Sequence, residues 1–577
     1  MTTFAGSKPE RFTFEVISVV PNFLPKQDII LVKSDDPKMQ TPGFWQGMSG
    51  SPLYIEDKLT CAFSYGFRFN KLAIGGCTPI EYMKKDGASY RRATVSGSVV
   101  QPMAATMSDW RRLTPTVDAQ AAMDALGPAH KSWLLSTPLP EPVSKPSEVT
   151  ENGAMQASVP LSVGGFSAPA FAQLDKLFGE SNLVPMRAGG AASSPAAIKD
   201  APTHFEMGGP IAVELIRGDM SASAIGTVSY IDGNNVLAFG HPMFQTGETY
   251  APVSTVQVHT VIPSSQSAFV MGSAMTEVGT LTQDRQSAIA ADTNLRTPTI
   301  PMDIAITTAA KGGHTEQGHF KVDIIASKFL TPAIAGAALM NAINYYLPDR
   351  TDVTARVDST VRVKGMADPI QFTDYLYAND GAASVMGAVR GIRVIVPLML
   401  NPFQPVQIER VDLKVSLDYA ANYGDIKEIK APTGDLVPGQ RNMVKVLMTS
   451  YDSKDIVEEI PVDVPANLAG SIVQLEVVAG DAAKLDAAPP TDFNSLIAAF
   501  RKLLPGNVWA ATIYPADEGV AVDGKVVRDL PASVQDKLHP QSHTQRAALY
   551  KPIARTVSPT KRVINGSASM LLRVRNQ

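Results

Sequence analysis

Apolar and polar residues alternate along much of this chain with a period of two, the spacing that puts one face of a β-strand on a core. Residues 11–33 (RFTFEVISVVPNFLPKQDIILVK) alternate on both sides of a Pro-interrupted turn and predict two strands. A Gly-rich turn follows at 47–52, then strands at 53–55 and 60–66 around the charged turn Glu56-Asp57-Lys58, and Pro79 to Met83 closes the series. Such a run of hairpins suits a small barrel. From about 101 to 205 the alternation weakens between Pro-rich 136–146 and Ala/Gly/Ser-rich 188–198, which predicts linkers around a modest insertion. It returns at 210–217, 225–231 and 235–239, with Asp232-Gly233 as a hairpin turn. Stretches 333–347 and 382–390 predict helices, and 391–400 is apolar enough to be buried. Segments 409–417, 442–449 and 471–478 alternate between Pro-Gly and Asp turns, the pattern of a β-sandwich module. Asp492 to Leu504 predicts an amphipathic helix with Asp492 as its cap.

Composition sharpens this picture. With 577 residues the chain exceeds one hydrophobic core and predicts three or four domains, and 43 Pro with 42 Gly favour short strands and turns over long helices. The net charge of −4, with no long basic run, argues against nucleic acid as a partner. No stretch of 18 apolar residues is present to span a bilayer as a helix. Cys61 and Cys77 are the only cysteines, too few for a disulfide framework or a four-cysteine zinc site. They either pair across neighbouring strands or stay as two buried thiols, and their positions predict that they lie close together. No metal-ligand spacing and no phosphate-binding loop occurs, so no cofactor is expected.

The most informative string is Gly47-Met48-Ser49-Gly50-Ser51-Pro52. A nucleophilic serine needs a sharp, Gly-flanked turn that exposes its hydroxyl and lets backbone N–H groups converge on an oxyanion. Gly47 and Gly50 permit that turn, and the amides of Gly47 and Ser49 are the expected donors, each contributing about 3 kcal/mol to the transition state. Read as composition alone, the string is simply a turn. It resembles the Gly-Asp-Ser-Gly-Gly-Pro segment of trypsin-like peptidases, and the following Ser64-Tyr65-Gly66 resembles their pocket-lining Ser-Trp-Gly. A closer resemblance is to the SpoIVB-type serine peptidases, the stage IV sporulation protein B family, whose members carry Gly-Met-Ser-Gly-Ser-Pro itself. That likeness covers residues 8–83. A second block, 208–244 with 279–289 (GTLTQDRQSAI), resembles the family's histidine segment, in which a Gly-His ends a strand.

The resemblance implies a mainly β protein built on a trypsin-like two-half β-barrel, cleaving protein or peptide substrates through an acyl-enzyme. Ser49 is then the nucleophile and His241 the base, and Asp35 or Asp36, after the strand before the serine, orients the imidazole. His241 is also the one histidine of eight that directly follows an apolar strand, in a Gly-His-Pro turn. The chain divides on this reading into a serine-bearing half-barrel (1–100), a linker and insertion (101–204) and a histidine-bearing half-barrel (205–310). A mixed strand and helix segment (311–404), a β-sandwich-like module (405–485) and a C-terminal α+β segment (486–577) follow. The serine precedes the histidine here, so the two halves stand in permuted order relative to the family, which a triad defined by geometry tolerates. Asp284 and Arg285 are expected to pair and brace the barrel, and Arg217-Gly218-Asp219 reads as a strand-end turn. The start at Met1 shows no signal-peptide pattern and reads as cytoplasmic, whereas the resemblance implies export, with a signal upstream. The competing reading is a non-catalytic binding or scaffold protein at the cell envelope that has kept the barrel.

Overall fold

The computed structural model describes residues 1–67, 72–88, 154–178, 182–189, 201–264, 268–309, 315–328, 330–347, 352–378, 389–430, 435–450, 454–485, 490, 492–516, 520–522, 525–527 and 552–576. The protein is mainly β. It forms two compact units. The first takes the described residues of Met1–Met103, Pro138–Asp303 and Phe320–Asn341, and the second those of Ile304–His319 and Ala342–Gln577.

In the first unit the amino-terminal strands are β1 (Glu15–Leu24), β2 (Gln27–Lys33), β3 (Pro52–Ile55), β4 (Lys58–Phe67) and β5 (Ile74–Pro79). They form a sheet in the order β1-β2-β5-β4-β3, antiparallel throughout, and β6 (Ala154–Gln156) adds to β4. Cys61 and Cys77 are disulfide-bonded across β4 and β5 with a Cα–Cα distance of 5.6 Å, so of the two arrangements open in the sequence the paired one is realised.

The second set comprises β7 (Val159–Gly164), β8 (Leu183–Arg187), β9 (Pro210–Gly218), β10 (Ser221–Asp232), β11 (Asn235–Ala238), β12 (Gly247–Ile262), β13 (Phe269–Arg285) and β14 (Ala288–Asp292). Each of β9, β12, β13, β14, β11 and β10 pairs with the next, and β10 pairs back to β9. Six strands thus close into a ring, in which every strand finds both neighbours and no edge is left. β7 and β8, with the helix Ala168–Phe178 between them, extend the sheet from β10. Residues 154–178 and 182–187, part of the expected insertion, are therefore built into these sheets, because Val159–Gly164 carries an unbroken buried face that a strand partner must cover. The Pro-rich 136–146 lies outside the described residues, as does most of 188–198. Arg217-Gly218-Asp219 closes β9 as a turn, with Gly218 at φ +113°. One apolar core joins the two sets of strands, Val32, Trp45, Met48 and Phe63 meeting Ile225, Val256 and Val270.

The second unit contains strands Val353–Val363, Ile370–Ala378 and Ile408–Asp418 in one sheet. Two four-stranded sheets follow, one of 423–430, 441–450, 455–463 and 563–565, the other of 472–479, 508–515, 554–559 and 567–573. Their inner faces share a core in which Val444, Val446 and Met448 meet Val473, Leu475 and Trp509. The sheets interleave strands from both sides of the boundary expected at 485, because 508–515 and 567–573 flank 472–479 on its two edges. The helix Phe493–Arg501 starts at a capping box of Asp492 and Ser495. Of the helix expected at 382–390, residues 382–388 lie outside the described residues. Among the described residues no helix is long and apolar enough to cross a membrane.

Candidate active site

The segment from Gly47 to Pro52 is a tight turn leading into β3. Gly47 and Gly50 both adopt left-handed backbone, with φ +94° and +95°, a conformation strained for any residue with a side chain. Neither has room for one. A Cβ on Gly47 would run into Val270, and one on Gly50 into the carbonyl of Thr227 and the amide of Phe239. The glycines let the turn press against the strand ring, and Ser49 is fully buried there, where the sequence led us to expect an exposed hydroxyl.

β10 holds this turn by its carbonyls. Thr227 donates its N–H to Ser49 O at 2.8 Å and its hydroxyl to Gly47 O at 3.1 Å, while Ser229 Oγ donates to Gly50 O at 2.7 Å. The amides of Met48, Gly50 and Ser51 donate to Trp45 O, Phe63 O and Met48 O. Those of Gly47 and Ser49 donate to no group among the described residues. These two are the pair assigned above to an oxyanion, and the fold leaves them unused.

His241 follows β11 through two left-handed residues, Phe239 and Gly240, both at φ +70°. The serine-bearing sheet grips this second turn in return. Thr78 Oγ1 donates to Gly240 O at 2.7 Å, and a Cβ on Gly240 would strike Ser64 Oγ. Thr227 ties the two turns directly, since its carbonyl accepts from Phe239 N–H at 3.3 Å while its N–H serves Ser49. The turns carrying Ser49 and His241 therefore interlock, each held by strands from the other's set.

The imidazole is wholly buried, and its Nδ1 lies 2.8 Å from Pro242 O. A carbonyl only accepts, so Nδ1 carries the proton and Nε2 presents a lone pair. Among the described residues Nε2 has no hydrogen-bond partner, and neither has the Ser49 hydroxyl. Burial pushes the His241 pKa down to about 4, against a smaller upward pull from the Pro242 carbonyl. The ring is thus neutral at neutral pH. Its folded value lies below the ordinary 6.5, so the unfolded chain takes up the proton first as pH falls, and stability is lost between about pH 6.5 and pH 4. We expect urea unfolding to show wild type losing about 3 kcal/mol more than His241→Gln across this window. An equal loss in both would contradict a buried neutral imidazole.

Neither Asp35 nor Asp36 is hydrogen-bonded to His241. Asp35 is exposed and pairs with Lys33 Nζ at 2.7 Å. Asp36 caps a short 3-10 turn through Lys38 N and accepts from Thr13 N at 2.9 Å; these backbone donors hold its pKa below the usual range. An Asp-Asp-Pro sequence satisfies a turn start locally, and the structure uses it so. The buried carboxylate near His241 is instead Asp284, at the end of β13. Its Oδ1 accepts from Met243 N and its Oδ2 from Phe244 N, each at 2.7 Å, with Thr246 adding two longer contacts to Oδ2. Asp284 does not pair with Arg285, which donates to Gln283 at 2.7 Å. The polar cluster Thr282-Gln283-Asp284-Arg285 in apolar surroundings was the available signal. Thr78 and Thr227 gave none, since a threonine in a strand is unremarkable in sequence.

No protein-family model matches this chain, and no match to it was found among curated proteins or solved structures. Among the described residues no group of three or more side chains is placed to hold a metal ion.

Proposed function

We propose that this protein is a serine endopeptidase, a permuted trypsin-like two-half barrel related to the SpoIVB type, with Ser49 as nucleophile and His241 as base. The observation that carries this reading is the coincidence of unused groups on two interlocked turns. Among the described residues the Ser49 hydroxyl and the His241 Nε2 lone pair are buried without partners, and the amides of Gly47 and Ser49 donate to no group. A fold leaves few buried polar groups unpaired, and those that remain call for a functional account. In the reaction Ser49 Oγ attacks the peptide carbonyl as Nε2 takes its proton, the oxyanion falls to the Gly47 and Ser49 amides, and the imidazolium returns the proton to the leaving amine. The closed ring of six strands beside a second, smaller sheet agrees with a two-half barrel. The Cys61–Cys77 disulfide favours an oxidising compartment and hence export.

A second reading is favoured by the same enclosure. Ser49 and His241 are not hydrogen-bonded to each other and both are sealed from solvent, as in a scaffold that has kept the barrel without its chemistry. Labelling with a fluorophosphonate probe, followed by mass mapping of the modified residue, decides between them. Modification at Ser49, lost in His241→Gln, supports the peptidase; an unmodified chain, or adduct at another serine, supports the scaffold.

A further inference from the structure

We propose that Asp284 is the positioning carboxylate of His241, acting through the peptide group between Pro242 and Met243 rather than by touching the imidazole. This rests on the assignment of His241 as base. The peptide unit is planar and trans, so its N–H and C=O point in opposite directions. Asp284 Oδ1 takes the Met243 N–H at 2.7 Å. That contact directs the Pro242 carbonyl away from Asp284, and the carbonyl meets His241 Nδ1 at 2.8 Å. Carboxylate, peptide and imidazole form one chain of hydrogen bonds, with the proton on Nδ1 and the lone pair on Nε2. Bonds in such a chain polarise one another. Negative charge on Asp284 makes the Pro242 oxygen a better acceptor and so favours the positive imidazolium that forms when Ser49 loses its proton.

Asp284 is suited to this part by its own surroundings. It is fully buried, and its two oxygens collect the amides of Met243, Phe244 and Thr246 and the Thr246 hydroxyl. Burial, the larger effect, leaves its pKa raised against the downward pull of the converging donors. An asparagine there must set its NH2 group against one of these N–H donors, which frees the peptide plane that holds the imidazole.

The test separates the relay from the peptidase assignment. In wild type labelled with ¹⁵N-histidine, the neutral His241 ring, assigned by its loss in His241→Gln, should show the proton on Nδ1. Asp284→Asn should shift it toward a mixture with the Nε2–H form, while Thr246→Val, which removes only an outer donor to Asp284, should leave it unchanged. In wild type hydrolysing a peptide substrate, Asp284→Asn should lower kcat on the order of 10², less than the roughly 10⁴ known for a carboxylate directly on the imidazole, with KM little altered. Should Asp284→Asn not fold, Asp284→Glu, with its carboxylate displaced by one methylene, is read in the same way. A wild-type ring protonated on Nε2, or an Asp284 variant with the wild-type tautomer and kcat, overturns the relay. A wild-type protein that is inert yet shows the Nδ1–H tautomer overturns the peptidase assignment instead.

Discussion

Ser49→Ala will abolish turnover, by on the order of 10⁶ in kcat if the serine and histidine act as a unit, and will not lower stability. The second half of this expectation is the more discriminating. The Ser49 hydroxyl is buried with no partner among the described residues, so its removal forfeits no hydrogen bond there and relieves an unsatisfied polar group, an exchange that is neutral or stabilising. Ser51 gives the opposite signature. Its hydroxyl donates to Met48 O at 2.7 Å in a buried site, so Ser51→Ala should cost about 1 kcal/mol of stability and leave most of the activity. Peptide hydrolysis and thermal melts on both variants check the pair. A Ser49→Ala protein that still turns over substrate, or one that melts well below wild type, would defeat the assignment of a partnerless nucleophile.

Gly50→Ala will be the most damaging single substitution in the turn, at about 4 kcal/mol or more, because two separate costs coincide. The left-handed backbone at φ +95° disfavours a side chain by roughly 1–3 kcal/mol. The new methyl would also meet two backbone atoms, Thr227 O and Phe239 N, neither of which can swing aside as a side-chain end can. Since Phe239 begins the turn that leads to His241 and donates to Thr227 O, the damage spreads from one turn to the other. Gly66, whose Cβ would meet nothing within 4 Å, provides the control, and Gly66→Ala should stay within about 0.5 kcal/mol of wild type. Soluble yield and urea midpoints measure both, and a Gly50→Ala midpoint close to that of Gly66→Ala would refute the packing described for the turn.

Local signals were legible and long-range closure was not. The strand signals at 210–217, 225–231 and 235–239 and the Asp232-Gly233 turn correspond to β9, β10 and β11 as observed, because short apolar runs bounded by turn residues mark a strand locally even where both faces are buried. The pairing of β10 back to β9 around the ring, and of 508–515 and 567–573 with 472–479, depends on contacts among strands far apart in the chain, for which one sequence carries no register. At the site, glycines at 47 and 50 were readable since only backbone geometry demands them. The carboxylate was not. Asp35 sat at the distance from Ser49 that the resemblance favoured, and Asp284 beside Arg285 resembled a structural ion pair. What betrayed neither its role nor its direction was the peptide between Pro242 and Met243, a group every sequence contains at every position.

The closed ring bears on when this protein acquires its chemistry. Its six strands run consecutively from Pro210 to Asp292, and the last to be synthesised, β14, is the one that seats β11, the strand leading to His241, through Val236↔Ala291 and Ala238↔Ile289. A ribosome making this chain delivers the serine turn first, then His241, and only afterwards the strand that completes the ring. Until then β11 has a strand partner on one side only, β10, and the ring stays open along its other edge. On the proposed peptidase reading, vectorial synthesis leaves the ring around the two turns incomplete until about half of the chain has been made.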